Sequence, residues 1–168
     1  MTVKNFQVFE KFDFEYLKKR LATYFDGLIS DTSKVGLALG CKKSCTRSRS
    51  DGYAQISLKQ RVGNKTLDIH PRPWNVYQFV HGISEELDGS HLCGRGKEGC
   101  CNMDHIHFEQ RFINLKRKRC GLYASCPICC AHFPVTVCPG HKVEGGMNPM
   151  CMQVFVPNVV TLDKSTNT

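Results

Sequence analysis

The sequence predicts a small α+β protein stapled together by bound metal, and three observations carry that expectation. An amphipathic stretch near the N-terminus has the spacing of a helix. Two β-favouring runs flank Gly63-Asn64, a turn signal. Eleven cysteines and seven histidines crowd mainly into the chain beyond residue 90. In 168 residues this fits one domain. It divides into a helical part (1–40), a basic ribbon with a short helix (41–87), a Cys/His-rich segment (88–141) and a C-terminal arm (142–168).

The helix is expected over residues 13 to 30, with Asp13 as N-cap and Phe14, Leu17, Leu21, Tyr24, Phe25 and Leu28 as its core face. From Cys41 to Ser50 the chain reads CKKSCTRSRS, a basic run with the composition of an exposed loop. Gly52–Gln60 and Lys65–His70 are expected to pair as a twisted ribbon rich in Lys and Arg, of a kind that enters a DNA major groove or serves as an ordinary sheet. After Pro71-Arg72-Pro73, WNVYQFVH reads as a short helix with Trp74, Tyr77 and Phe79 in the core, and SEELDG as an acidic loop.

The N-terminus is charged throughout and lacks the apolar run of a secretory signal. No apolar stretch is long enough to cross a bilayer. The expectation is an intracellular protein, nuclear or cytoplasmic, with no membrane partner. In a reducing compartment disulfides do not persist, so mixed Cys/His clusters read as zinc sites. The net charge of +8 favours a polyanion as partner, even after each Cys₃His–Zn²⁺ site subtracts about one unit.

Residues 90 to 120, SHLCGRGKEGCCNMDHIHFEQRFINLKRKRC, are the informative part. Cys93, Cys100 and His105 form a compact ligand set that either Cys41 or Cys45 can complete. A second cluster offers Cys120, Cys126, Cys129, Cys130, His132, Cys138 and His141, so two zinc ions per chain are expected. Cys101 and Cys151 read as plain thiols, and Asp104 as a turn residue. Taken alone, His91 is a structural or surface histidine. Asn114, opening the basic run LKRKR after the strand-like IHFEQRFI, is a helix cap.

Taken together, Ser-His-Leu-Cys, then Cys-x₄-His, then Asn and a basic stretch ending in Cys resembles the His-Cys box homing endonucleases. These belong to the His-Me finger, or ββα-metal, nucleases. The likeness spans residues 88 to 141. It implies a small zinc-stabilised ββα-metal fold with an antiparallel ribbon and an N-terminal helix. It also implies a site-specific endonuclease acting on double-stranded DNA as a homodimer, with one Mg²⁺ per active site and no small-molecule cofactor.

In these terms His91 is the general base that deprotonates the attacking water, and Asn114 binds the magnesium. Arg61 on the ribbon, with Lys59 in competition, is the cation beside the scissile phosphate. The resemblance places the second zinc on Cys120, Cys130, His132 and Cys138. The Cys93–Cys100 loop is longer than the family pattern, with its tip at Gly94-Arg95-Gly96. Two alternatives explain the zinc and the charge without cleavage: a zinc-binding DNA-recognition protein and a zinc-dependent protein-interaction domain. Neither accounts for the histidine and asparagine at this spacing.

Overall fold

A computed structural model describes residues 6–45, 50–117, 123–125 and 132–134 of the chain. The fold is mixed α+β. In chain order it comprises α1 (Phe14–Asp26), β1 (Ile29–Ser30), α2 (Lys34–Leu39), β2 (Lys42–Lys43), β3 (Leu58–Val62) and β4 (Lys65–Ile69). Then follow α3 (Pro73–Val80), β5 (Asp88–His91), β6 (Ile106–Glu109), α4 (Arg111–Arg117), β7 (Tyr123–Ser125) and β8 (His132–Pro134). Each described sheet is a two-stranded antiparallel pair of sequence neighbours: β1-β2, β3-β4, β5-β6 and β7-β8.

Asp13 caps α1 as expected, its carboxylate accepting from Tyr16 N–H at 2.7 Å. The helix ends at Asp26 rather than continuing to residue 30, because the chain turns at Gly27 and leaves as β1 to pair with β2. Leu17 and Leu21 carry the buried face of α1. They join Phe9, Phe12, Ile56, Leu58 and Val76 in one cluster, with Phe79, Tyr77 and Phe25 packed on its edge. This is the apolar core. Phe6, Phe9 and Phe79 meet ring to ring at 5.4 to 5.7 Å, within the range of favourable aromatic pairs.

The hairpin closes on Gly63-Asn64, with Gly63 in the left-handed region (φ 59°) and the register Val62↔Lys65, Arg61↔Thr66, Lys59↔Asp68. Its first strand begins at Leu58, not Gly52. Residues Tyr53 to Ser57 are irregular: Ala54 and Ile56 are spent on packing, and Ile56 N–H bonds to Pro71 C=O at 2.9 Å. Alternation from Leu58 leaves Lys59, Arg61, Thr66 and Asp68 together on the outward face. Pro73 opens α3 at its first position, and Trp74 and Val76 are buried there. Gln78, fully buried on the same helix, donates to Ser84 C=O and to Leu87 C=O, which pins the acidic loop. That loop is shorter than expected, because Asp88 and Gly89 already belong to β5.

β5, β6 and α4 follow one another as a strand–strand–helix unit, with α4 packed back on β5. A fork of charge holds it closed. Arg117 donates to both oxygens of Glu109, at 2.7 and 2.8 Å, and both residues are buried. Breaking such a pair strands a charge in the interior, at a cost of about 3–5 kcal/mol. Asn114 lies inside α4 rather than at its start. Among the described residues no helix is long and apolar enough to cross a membrane.

Candidate metal centre and the histidine beside it

Cys41 is delivered by a short capped helix. Ser33 Oγ accepts from Gly36 N–H at 3.1 Å to start α2, and Gly40, left-handed at φ 69°, ends it and turns the chain inward. Cys41 N–H then bonds to Gly36 C=O, and Cys41 C=O accepts from Asp31 N–H, both at 2.8 Å. β2 runs alongside the Cys93–Cys100 loop, with Lys43 bridged to Cys100 and Cys101 N–H bonded to Lys42 C=O at 2.8 Å. Leu92 N–H bonds to His105 C=O at 2.8 Å, closing the other side.

These contacts gather Cys41, Cys93, Cys100 and His105, all buried, with their ligand atoms within 4.8 Å of one another. Tetrahedral zinc with ordinary bond lengths needs sulfur–nitrogen spacings of roughly 3.5 Å. His105 Nδ1 lies 3.5 Å from Cys100 Sγ and 3.8 Å from Cys41 Sγ. The donor set could hold a zinc ion, with Cys41 as the fourth member of the group, and Cys45 is exposed.

The electrostatics point the same way. The Cys93 thiol donates to Cys100 and lowers the Cys100 pKa to about 4, and the same bond pushes Cys93 upward. Burial, then the Cys100 charge, raises Cys41 to about 11. Three buried thiols next to one another cannot all ionise without a cation, so metal binding releases protons. Arg95 supplies compensating charge. It donates to Asp31 and Ser33 at 3.1 Å, and its field lowers the Cys41 pKa. The expected loop tip thus folds back onto the metal centre.

Of the second ligand set, Cys120, Cys130 and Cys138 lie outside the described residues, as do Cys126, Cys129 and His141, and His132 is described only as the first residue of β8. Among the described residues, therefore, one metal cluster is in view.

His91 ends β5 beside this centre. Its Nε2 lies 3.0 Å from the carbonyl oxygen of Cys100. A carbonyl only accepts, so Nε2 carries the proton in the neutral ring and Nδ1 keeps its lone pair. The edge of the ring meets Trp74, centroids 4.7 Å apart at 81°. Burial, foremost, pushes the His91 pKa below the ordinary 6.5, and the nearby charges of Arg72 and His105 push the same way. Gly96 leaves the free nitrogen uncovered: a Cβ there would stand 2.7 Å from Nδ1 and 3.0 Å from a Tyr53 ring carbon, so only glycine fits without displacing a ring.

Asn114 is tied to the strand of His91 rather than to His91 itself. Its Nδ2 donates to Asp88 Oδ2 at 3.4 Å, from α4 to the first residue of β5. Arg61 is exposed beside the hairpin turn, its Nε donating to Gly63 C=O at 3.3 Å, and Lys59 pairs with Asp68 at 3.7 Å. The cation whose field reaches His91 is Arg72, stacked over Tyr53 at 4.2 Å and near Trp74 at 5.7 Å. Nothing local in the sequence marks Arg72, between its two prolines, and Asp88, expected in the acidic loop, instead opens β5.

Comparison with known protein families, curated proteins and solved structures returns no match for this chain.

Proposed function

We propose that this chain is a zinc-braced, divalent-metal-dependent DNA endonuclease of the His-Cys box type, acting on double-stranded DNA as a homodimer. The observation that carries the reading is the state of His91. Its Nε2–H donates to the Cys100 carbonyl, which leaves Nδ1 as the acceptor of a neutral ring in a partly buried site. A general base for water attack on a phosphodiester needs that form at working pH. The β5-β6-α4 order, with His91 on the first strand and Asn114 in the helix, supports the same reading.

The residues present fit a catalytic magnesium. The Asn114 carboxamide would hold it through its neutral oxygen, a donor that Mg²⁺ takes while keeping most of its waters, and its NH₂ end is occupied by Asp88. When bound there, Mg²⁺ stabilises charge on the phosphate and on the departing oxygen. The chain's own groups do the rest. His91 Nδ1 accepts a proton from the attacking water. Arg72, held in place by Tyr53 and by Asp51 at 3.5 Å, neutralises the phosphate close to His91 and takes the role that Arg61 would otherwise fill. Lys59 and Arg61, on the outward face of the hairpin, reach the DNA backbone farther away. Cys41, Cys93, Cys100 and His105 would hold a zinc ion whose role would be structural, fixing the loop that carries the Cys100 carbonyl.

Cleavage of genomic DNA, with Mg²⁺ or EDTA, is the test. Wild type should give discrete fragments only with Mg²⁺, and His91→Ala should lose about 10²–10⁴-fold in rate while keeping its zinc and its DNA affinity. The neutral ring is the active form, so the rate should rise with pH, with its midpoint below 6.5. Full activity in His91→Ala would overturn the site. DNA binding without cleavage under every metal condition would favour a recognition module.

A further inference from the structure

We infer that Asp88 is a positioning residue that sets which end of the Asn114 carboxamide faces the divalent ion. The inference rests on the reading of Asn114 as a metal ligand. A carboxamide has one end that binds cations and one that repels them, and the two are nearly the same shape. A ligand of this kind works only if something fixes its orientation. An ionised carboxylate accepts hydrogen bonds and donates none. Asp88 Oδ2 lies 3.4 Å from Asn114 Nδ2, so the NH₂ end is drawn to Asp88 and Oδ1 is turned away from it.

The scaffold supports the geometry from both sides. Asp88 is the first residue of β5, opposite Glu109 on β6 in the ladder. Glu109 in turn receives the buried Arg117 fork from the last turn of α4, the helix that carries Asn114. Donor and acceptor ride on α4 and β5, which are tied through β6: the buried ion pair joins α4 to β6, and the strand ladder joins β6 to β5. Gly89, next along β5, lets the strand sit against the Trp74 indole: a Cβ there would fall 2.6 Å from the ring. The strand cannot slide without disturbing His91, which leans on the same indole. Asp88 thus couples the position of the metal ligand to the strand that presents the base. Partners that orient a metal ligand in this way are worth roughly 10–100-fold in affinity.

The test is Mn²⁺ affinity of the zinc-loaded full-length protein without DNA, read by electron paramagnetic resonance, for wild type, Asp88→Ala, Asp88→Asn and Asn114→Ala. Zinc content and melting temperature serve as checks on folding. Asp88→Ala should weaken Mn²⁺ about 10-fold or more. Asp88→Asn, whose own carbonyl can still accept from Asn114, should recover most of that loss. Equal losses in Asp88→Ala and Asp88→Asn would make Asp88 a charged ligand rather than an orienting one, and would overturn the proposal. So would unchanged affinity in Asp88→Ala alongside a clear loss in Asn114→Ala, which leaves the nuclease reading standing. Wild-type affinity in Asn114→Ala would remove the metal-ligand reading itself, and the proposal with it. If Asp88→Ala melts early, Asp88→Leu, which keeps the bulk but has no acceptor, is read at low temperature in its place with the same outcomes.

Discussion

The two halves of the described molecule are held together by different physics. Around α1 and α3, cohesion comes from apolar burial: Leu17, Ile56, Leu58 and Val76 are almost wholly removed from water, with a ring of phenylalanines at their edge. Around Cys41 and the Cys93–His105 stretch, the buried residues are thiols, a histidine and charged pairs, and among the described residues Leu39 is the one partly buried apolar side chain packed on the cluster. The first region has a core that water drives together. The second has three buried thiols that cannot all ionise unless a cation joins them, because burial opposes each thiolate. The candidate base stands at the seam, its ring on Trp74 of the first region and its Nε2 on Cys100 of the second.

That contrast can be broken experimentally. The largest effect should follow from removing zinc with a chelator, or from Cys100→Ala. Structural zinc contributes about 10–16 kcal/mol of apparent binding free energy, so the Cys93–His105 stretch should lose hydrogen-exchange protection while α1 and α3 keep theirs. Loss of protection in both regions together would show that they form one cooperative unit. A smaller effect is expected from Leu17→Ala, about 2–5 kcal/mol by denaturant unfolding, with zinc affinity unchanged. A parallel fall in zinc affinity would show that the aromatic core also shapes the ligand set. The smallest is Asp13→Ala, which removes the cap of α1 at a cost of about 1 kcal/mol, with no change in cleavage.

The same contrast explains what could be read from the sequence. Helical spacing, the Asp13 cap and the Gly63-Asn64 turn are local signals, and α1, α3 and the hairpin formed where they pointed. The first Cys/His set was legible because ligand types are few and their spacing is constrained. Even so, choosing Cys41 over Cys45 needed the left-handed turn at Gly40, which points one inward and leaves the other in solvent. Arg72 and Asp88 were not legible, since their roles depend on contacts between distant elements: a guanidinium over Tyr53, an amide reaching from α4 to β5. Tyr53 to Ser57 looked like strand because apolar residues alternate there. The structure uses that alternation to fill the core instead of pairing the backbone.

The packing of Trp74 against His91 has a consequence for observation. The chain contains one tryptophan, so all of its indole emission comes from the ring that His91 touches. A protonated imidazole quenches an adjacent indole far more than a neutral one does. Intrinsic fluorescence during a pH titration therefore follows the charge of this one histidine, with no label attached and no substrate present, and the protein carries an optical probe of its own candidate base.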